Sequence, residues 1–224
     1  SRQWYTLDPS LRRSFAGSAG SAAAGSPSGH PLLGARLSTV WTNLLFETGL
    51  SSRSPAYLAD HQVQGSPVTP AAAYVEQALA AAEQLFGSGH HGLANLAIQQ
   101  AMFLPEGTRR RVQISVSPES GGESTFETYS RPSDGDGSAA AWTMHATGQL
   151  VHETQATSEK NAAFAAIDLA AARDRAVGVS SRQEFYELIA ERGLAYGPAF
   201  QVLDELHRGA EDAIARVVLP ESVV

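Results

Sequence analysis

Residues 57–86 read YLADHQVQGSPVTPAAAYVEQALAAAEQLF, and the reading of this stretch decides the fold. An apolar lead-in, Tyr57 and Leu58, comes first. A turn-rich segment follows, with His61 at its start, Gly65 inside it and Pro70 at its end. No helix breaker then occurs until Gly87. Val75, Ala78, Leu79, Ala82, Leu85 and Phe86 recur at three- and four-residue spacing. That spacing predicts a helix from about Ala71 to Phe86 with one apolar side. Pro70 falls at the first turn, where a helix tolerates proline. The free N–H groups of that turn make a partly positive site beside the loop that carries His61. A histidine there can act as a base on a substrate whose carbonyl oxygen points at those donors. It can equally be a loop histidine that caps the helix.

Outward from the helix the pattern is that of strands. Arg36–Glu47 has apolar residues on both alternating faces, as in a strand buried on two sides or pairing along an interface. Gly92–Leu104 reads as a strand. Arg111–Ser117 alternates, with Val112, Ile114 and Val116 on one face. Glu123–Ser130 and Ala140–His152 read as two more, joined by a hairpin loop over Arg131–Ser138. One strand, one long helix and an antiparallel meander leave a single helix to cover the apolar face of the sheet. A curved antiparallel sheet wrapped around one helix is the hot-dog arrangement, of class α+β. Ser1–Phe15 is an amphipathic lead, and Ala16–Gly29 is low-complexity and reads as a flexible linker. Thr154–Val179 is polar, alanine-rich and linker-like. Ser181–Arg192 predicts a helix: Ser181 and Glu184 form a capping box, Phe185, Leu188 and Ile189 make its apolar face, and Gly193 ends it. Gln201–His207 and Ala213–Leu219 are the strands after it.

With 224 residues the chain can bury a sizeable core. A formal net charge of −7 argues against nucleic acid as partner. The one basic run, Arg109-Arg110-Arg111, reads as the solvated start of a strand, with a docking spot for an acidic carrier protein as the other reading. There is no cysteine, which excludes disulfides, thiolate nucleophiles and zinc–cysteine sites. No apolar run approaches the roughly 20 residues of a membrane helix, and the N-terminus lacks a signal-peptide core. A soluble, cytoplasmic protein is the expectation. His30 reads as a turn or packing residue and His90 and His91 as loop residues. His145, His152 and His207 lie on strand patterns without metal-ligand spacing. Gly135–Ala140 matches G-x-G-x-x-A by letter but opens no helix after a strand, so it is no nucleotide site.

The spacing of His61, Gly65 and Pro70, H-x-x-x-G-x-x-x-x-P, resembles the first active-site motif of the dehydratase domains of modular polyketide synthases. His30-Pro31-Leu32-Leu33-Gly34 is similar to the HPLLG that opens such domains. Gly193-Leu194-Ala195-Tyr196-Gly197-Pro198-Ala199-Phe200 is similar to their G-x-x-Y-G-P-x-F motif. Arg2-Gln3-Trp4-Tyr5 resembles the end of the linker before the domain. Four matches in the family's order span almost the whole chain.

The resemblance implies a double hot-dog. Residues 1–29 would be a linker, 30–153 the first hot-dog, 154–180 the inter-half linker and 181–224 the start of an incomplete second hot-dog. It implies loss of water from a 3-hydroxyacyl thioester carried on the phosphopantetheine arm of an acyl carrier protein, with no metal or soluble cofactor. His61 would take the C2 proton, and histidine suits a base near neutral pH. The backbone at Gly65 and the nearby helix N-terminus, with Pro70, would meet the thioester oxygen. Tyr196, Gly197 and Pro198 would line the substrate. Tyr196 would offer its hydroxyl to the acid or to the substrate, or else be a buried tyrosine bonded to a backbone carbonyl. In the family the proton donor is an Asp in a D-x-x-x-Q or D-x-x-x-H motif. Nothing in residues 181–224, the half where the family carries it, matches that motif, and the expectation is that the chain stops short of it. Asp60 reads as a turn or strand-end residue, and Asp204 has no matching motif. A homodimer and the other domains of the megasynthase are the expected partners. Two other readings stay open: a double-bond-shifting isomerase that uses His61 only, and an inactive, structural dehydratase-like module.

Overall fold

The computed structural model describes residues 25–120, 123–133, 140–152 and 168–219. The amphipathic lead Ser1–Phe15 and most of the 135–140 glycine pattern lie outside the described residues. In chain order the strands of the first half are β1 (Gly25–Pro27), β2 (Ala35–Leu37), β3 (Leu44–Leu50), β4 (His61–Val63), β5 (Ser66–Pro67), β6 (His91–Ile98), β7 (Arg110–Val116), β8 (Glu123–Pro132) and β9 (Thr143–His152). The long helix, α1, runs over Ala71–Phe86. Seven strands form one antiparallel sheet in the order β1-β2-β3-β7-β8-β9-β6. The two-residue period decides which side faces inward. Val112, Ile114 and Val116 of β7, Phe126 and Thr128 of β8, and Ala146 and Leu150 of β9 are fully buried. Together with Phe46 and Leu50 of β3 they close on α1. Each such large apolar side chain contributes roughly 1.5–3 kcal/mol on burial.

The helix bounds match the sequence expectation, and its buried face is rotated from it. Pro70 is the N-cap rather than a first-turn residue, and Gly87, at φ +83°, ends the helix. Ala73, Tyr74, Gln77, Ala78, Ala81 and Ala82 are buried, whereas Val75, Leu79, Leu85 and Phe86 are only partly so. The alanines let the sheet backbone come close on either side, so the enclosed arc is set by small residues. Gln77 is accommodated because its amide donates to the Leu32 carbonyl (3.0 Å) and accepts from Thr128 Oγ1 (3.4 Å).

Other expectations are corrected. Arg36–Glu47 is not one strand: residues 38–43 form an exposed bend between β2 and β3, with Val40 96% and Trp41 78% exposed. The strand expected over Gly92–Leu104 begins at His91, which is therefore not a loop residue, and ends at Ile98. Gly25–Pro27, inside the expected flexible linker, pairs with β2. The basic run is tied into the sheet: Arg110 donates to Ser130 Oγ (3.0 and 3.1 Å) and Arg111 pairs with Glu47 at 3.6 Å. The HPLLG stretch is a turn. The His30 carbonyl accepts from Leu33 and Gly34 N–H, and the His30 ring bonds Glu76 at 3.0 Å, which holds that carboxyl below its usual range.

Within the expected inter-half linker, the described part holds a short helix, α2 (Leu169–Asp174), capped by Asp168, and a strand, β10 (Gly178–Ser181). Helix α3 (Arg182–Glu191) follows with the Ser181–Glu184 capping box formed. Its buried residue is Tyr186, while Leu188 is exposed. Then come β11 (Leu194–Tyr196), a 3-10 turn over Pro198–Phe200, β12 (Leu203–Arg208) and β13 (Ala213–Val217). β10, β12 and β13 form a small antiparallel sheet. β11 leaves its own half and pairs with β4, so a third sheet, β11-β4-β5, draws strands from both halves. Among the described residues, no helix is long and apolar enough to cross a membrane.

Candidate active site

His61 opens β4, and a tight hairpin to β5 follows. Gln64 and Gly65 form the two-residue turn, with φ of +51° and +74°. Positive φ at both positions is what a type I′ hairpin requires, and it suits glycine at the second. Among the described residues nothing lies within 4 Å of where a Cβ on Gly65 would stand. The returning strand brings Val68 beside His61. The Val68 N–H donates to the His61 carbonyl at 3.0 Å. The Val68 carbonyl lies 2.8 Å from His61 Nδ1. A carbonyl only accepts, so the proton sits on Nδ1 and the neutral ring keeps its lone pair on Nε2. Among the described residues no side chain caps the α1 N-terminus, two residues beyond Val68; Ala73 N–H donates to the Pro70 carbonyl (3.0 Å), and the Ala71 and Ala72 N–H groups are left to face outward.

The second half supplies the surroundings of the ring. Tyr196 is opposite His61 in the β4–β11 register. The two rings stack with centroids 5.0 Å apart and planes at 30°. Phe200 meets the imidazole edge-on at 5.3 Å and 60°, and Tyr57 packs on Phe200 at 6.4 Å. Burial, with the charge of Glu76, pushes the Tyr57 hydroxyl up to about 12, so it keeps its proton. Gly197 and Pro198 start the turn that carries Phe200. Tyrosine 186, not Tyr196, is the one bonded to the backbone: its hydroxyl donates to the Phe200 carbonyl (3.2 Å) and accepts from Leu203 N–H (3.0 Å). Among the described residues the Tyr196 hydroxyl has no hydrogen-bond partner.

Of the residues expected at the site, the structure thus brings together His61 and Tyr196 directly. Gly65 and Pro70 lie on the hairpin and the helix cap that follow His61, and Gly197 and Pro198 on the turn behind Tyr196. Phe200, although inside the quoted motif, had no role from the sequence. Asp60 had none either, and its Oδ2 accepts from Ala199 N–H at 2.9 Å. Asp204 is in an ion pair with Arg216. A hollow of about 470 Å³, lined by residues of α3 and by Ala195, Tyr196 and Gln201, lies beside Tyr196 and does not include His61. Among the described residues no group of three or more side chains suits a metal ion.

Two family models match the chain. One, the polyketide synthase dehydratase domain, covers residues 30–131; the other, described as the polyketide synthase dehydratase N-terminal domain, covers residues 164–224. The chain belongs to the polyketide synthase dehydratase family. It is 35% identical over 221 residues to the pikromycin polyketide synthase component PikAII of Streptomyces venezuelae, covering 98% of this chain and 6% of that protein. It is 36% identical over 201 residues to the spectinabilin polyketide synthase system protein NorA of Streptomyces orinoci, covering 86% of this chain and 10% of that one. The dehydratase domain from the CurK module of curacin polyketide synthase superposes with a TM-score of 0.75 at 29% identity, covering 87% of this chain and 65% of that one. The dehydratase domain from the terminal module of the rifamycin polyketide synthase gives 0.74 at 28% identity, covering 89% and 70%. The dehydratase chain described here is therefore similar to about two thirds of a double hot-dog domain and spans only a small part of the curated synthases. Two further CurK structures, at 29% and 28% identity, are of variants described as inactive. One has an asparagine in place of an aspartate, the other a phenylalanine in place of a histidine.

Proposed function

We propose that this dehydratase chain contributes the base for elimination of water from a 3-hydroxyacyl thioester. The observation that carries the reading is the bond from His61 Nδ1–H to the Val68 carbonyl. It leaves Nε2 free to accept a proton, in an aromatic surround formed by Tyr196 and Phe200. Nε2 takes the proton from C2 of the acyl chain, and the electron pair moves toward the thioester carbonyl. Charge developing on that oxygen is met by N–H groups at Gly65 and at the uncapped α1 end near Pro70. The C3–O bond breaks as the electron pair returns to form the C2–C3 double bond. The departing oxygen takes a proton from a carboxylic acid and leaves as water. An acid distinct from His61 lets the two groups have separately tuned pKa values. Asp60 and Asp204 are both engaged elsewhere, so the acid is assigned to the remainder of the domain. The inactive aspartate and histidine variants of the CurK dehydratase support a two-residue division of labour.

On this reading the acyl chain arrives on the phosphopantetheine arm of an acyl carrier protein, within the megasynthase, and no metal or soluble cofactor takes part. The domain would work as a homodimer in the cytoplasm. No feature of the site favours the double-bond shift or an inactive module over elimination. The test is His61→Phe in the full protein, assayed by mass spectrometry for loss of water from a carrier-bound 3-hydroxyacyl chain. Turnover should fall roughly a hundred- to ten-thousandfold. Turnover near that of the wild type would remove His61 from the chemistry.

A further inference from the structure

Asp60 stands immediately before His61 and reaches away from it, into the second half of the chain. Its Oδ2 accepts from Ala199 N–H at 2.9 Å, across 139 residues of sequence. Its main-chain carbonyl accepts from Gly197 N–H at 2.7 Å. Ala199 is the second residue of the 3-10 turn Pro198–Phe200, where N–H groups have no partner inside the turn. The turn has no capping side chain of its own. A carboxylate supplied from outside makes a stronger bond there than a neutral acceptor would. Gly197 fits the same account. Its backbone is extended, with φ −81° and ψ −179°, a conformation open to any residue. Glycine serves instead to make room: a Cβ at this position would stand 2.5 Å from both Cγ and Oδ1 of Asp60. Tyr196, just before this glycine, and Phe200, at the end of the turn, are the rings packed on the imidazole.

We propose that Asp60 is a positioning residue, a clasp that holds the Gly197–Phe200 turn against His61 and so keeps the Tyr196 and Phe200 rings on the imidazole. The proposal rests on the reading of His61 as the catalytic base. A base displaced by about 1 Å can lose roughly a hundredfold in rate, so a clasp on its aromatic surround acts on turnover without touching substrate.

The test compares D60A, D60N, G197A and H61F in the full protein. It reads kcat and KM for a carrier-bound 3-hydroxyacyl substrate, and amide hydrogen exchange over residues 197–201. D60A should lower kcat about ten- to hundredfold, change KM far less, and speed exchange at Ala199. D60N keeps a side-chain carbonyl to accept from Ala199 and should restore most of both. G197A should behave like D60A, and its cost should shrink in a D60A background, because the group it collides with is then shortened. H61F should be inactive with exchange still slow. If D60A fails to fold, D60N and G197A carry the comparison, with an active D60N and an impaired G197A expected. Wild-type kcat in D60A or in G197A would overturn the proposal. So would an inactive D60N with Ala199 still protected, since Asp60 would then be moving a proton. A wild-type protein that does not dehydrate would instead sink the functional reading, and the exchange pattern would still decide whether the clasp exists.

Discussion

Tyr196 lies ring to ring with His61, 5.0 Å between centroids, because the two residues are direct partners in the β4–β11 pair. The stack fixes where the phenol points, and among the described residues nothing hydrogen-bonds its hydroxyl. Tyr196→Phe keeps the ring and removes the hydroxyl. It should leave Tm unchanged and lower kcat/KM by up to roughly tenfold, the worth of one net hydrogen bond. Equal kcat/KM in the two proteins would confine Tyr196 to packing.

The buried pair Ser130 and His145 predicts acid sensitivity of the fold. His145 Nδ1–H donates to the Gln100 carbonyl (2.9 Å), so Nε2 accepts from Ser130 Oγ (2.7 Å). Burial lowers the His145 pKa below its ordinary 6.5; the nearby Arg110 adds to this, and the Gln100 bond opposes it. The unfolded chain therefore binds the proton first. The contribution of His145 to stability is complete above about pH 6.5 and is lost as pH falls from there through the lowered folded value. Denaturant midpoints should drop from pH 7 to pH 5. His145→Gln should flatten that slope by at most about 1.4 kcal/mol per pH unit. An unchanged slope would mean that other groups set the acid limit.

Gln77 ties the HPLLG turn to the central helix through the Leu32 carbonyl. Gln77→Leu is close in size but leaves that carbonyl and Thr128 without their partner. Chemical denaturation should show a loss of about 1–3 kcal/mol. A neutral outcome would mean that the turn is held by Leu32 and Leu33 packing alone.

Among the described residues the buried Tyr74 hydroxyl has no hydrogen-bond partner, while its ring is part of the core. Tyr74→Phe removes a polar atom that is already unsatisfied, so Tm should stay level or rise. A fall of several degrees would reveal a partner for the hydroxyl.

The sequence carried the helix limits, since Pro70 and Gly87 are local signals read one residue at a time. It carried Val112, Ile114 and Val116 for the same reason: a two-residue period needs no partner to be visible. The rotated helix face was less visible, because alanines on both flanks give periodicity little contrast and the wrap of the sheet decides which are enclosed. Val40 and Trp41 misled because apolar residues in a bend look like strand residues until the chain's direction is known. His61, Gly65 and Tyr196 were legible as motif letters. The pairing that puts Tyr196 on His61 was not, for β11 is three residues long and its partner lies more than a hundred residues away. Asp60 was passed over because its bond partner is a backbone N–H, which leaves no trace in a sequence.

The seam between β4 and β11 bears on how such domains can be recombined. Main-chain pairing is blind to side chains, so a second half transplanted from another parent would rebuild the ladder of Leu194, Ala195 and Tyr196 on Val63, Gln62 and His61. Residues 60 and 197 are not blind to each other. They form a matched set split across any crossover placed between them. A hybrid gene that joined Asp60 from one parent to a bulkier residue at 197 from the other would fold both halves and still grip its histidine loosely.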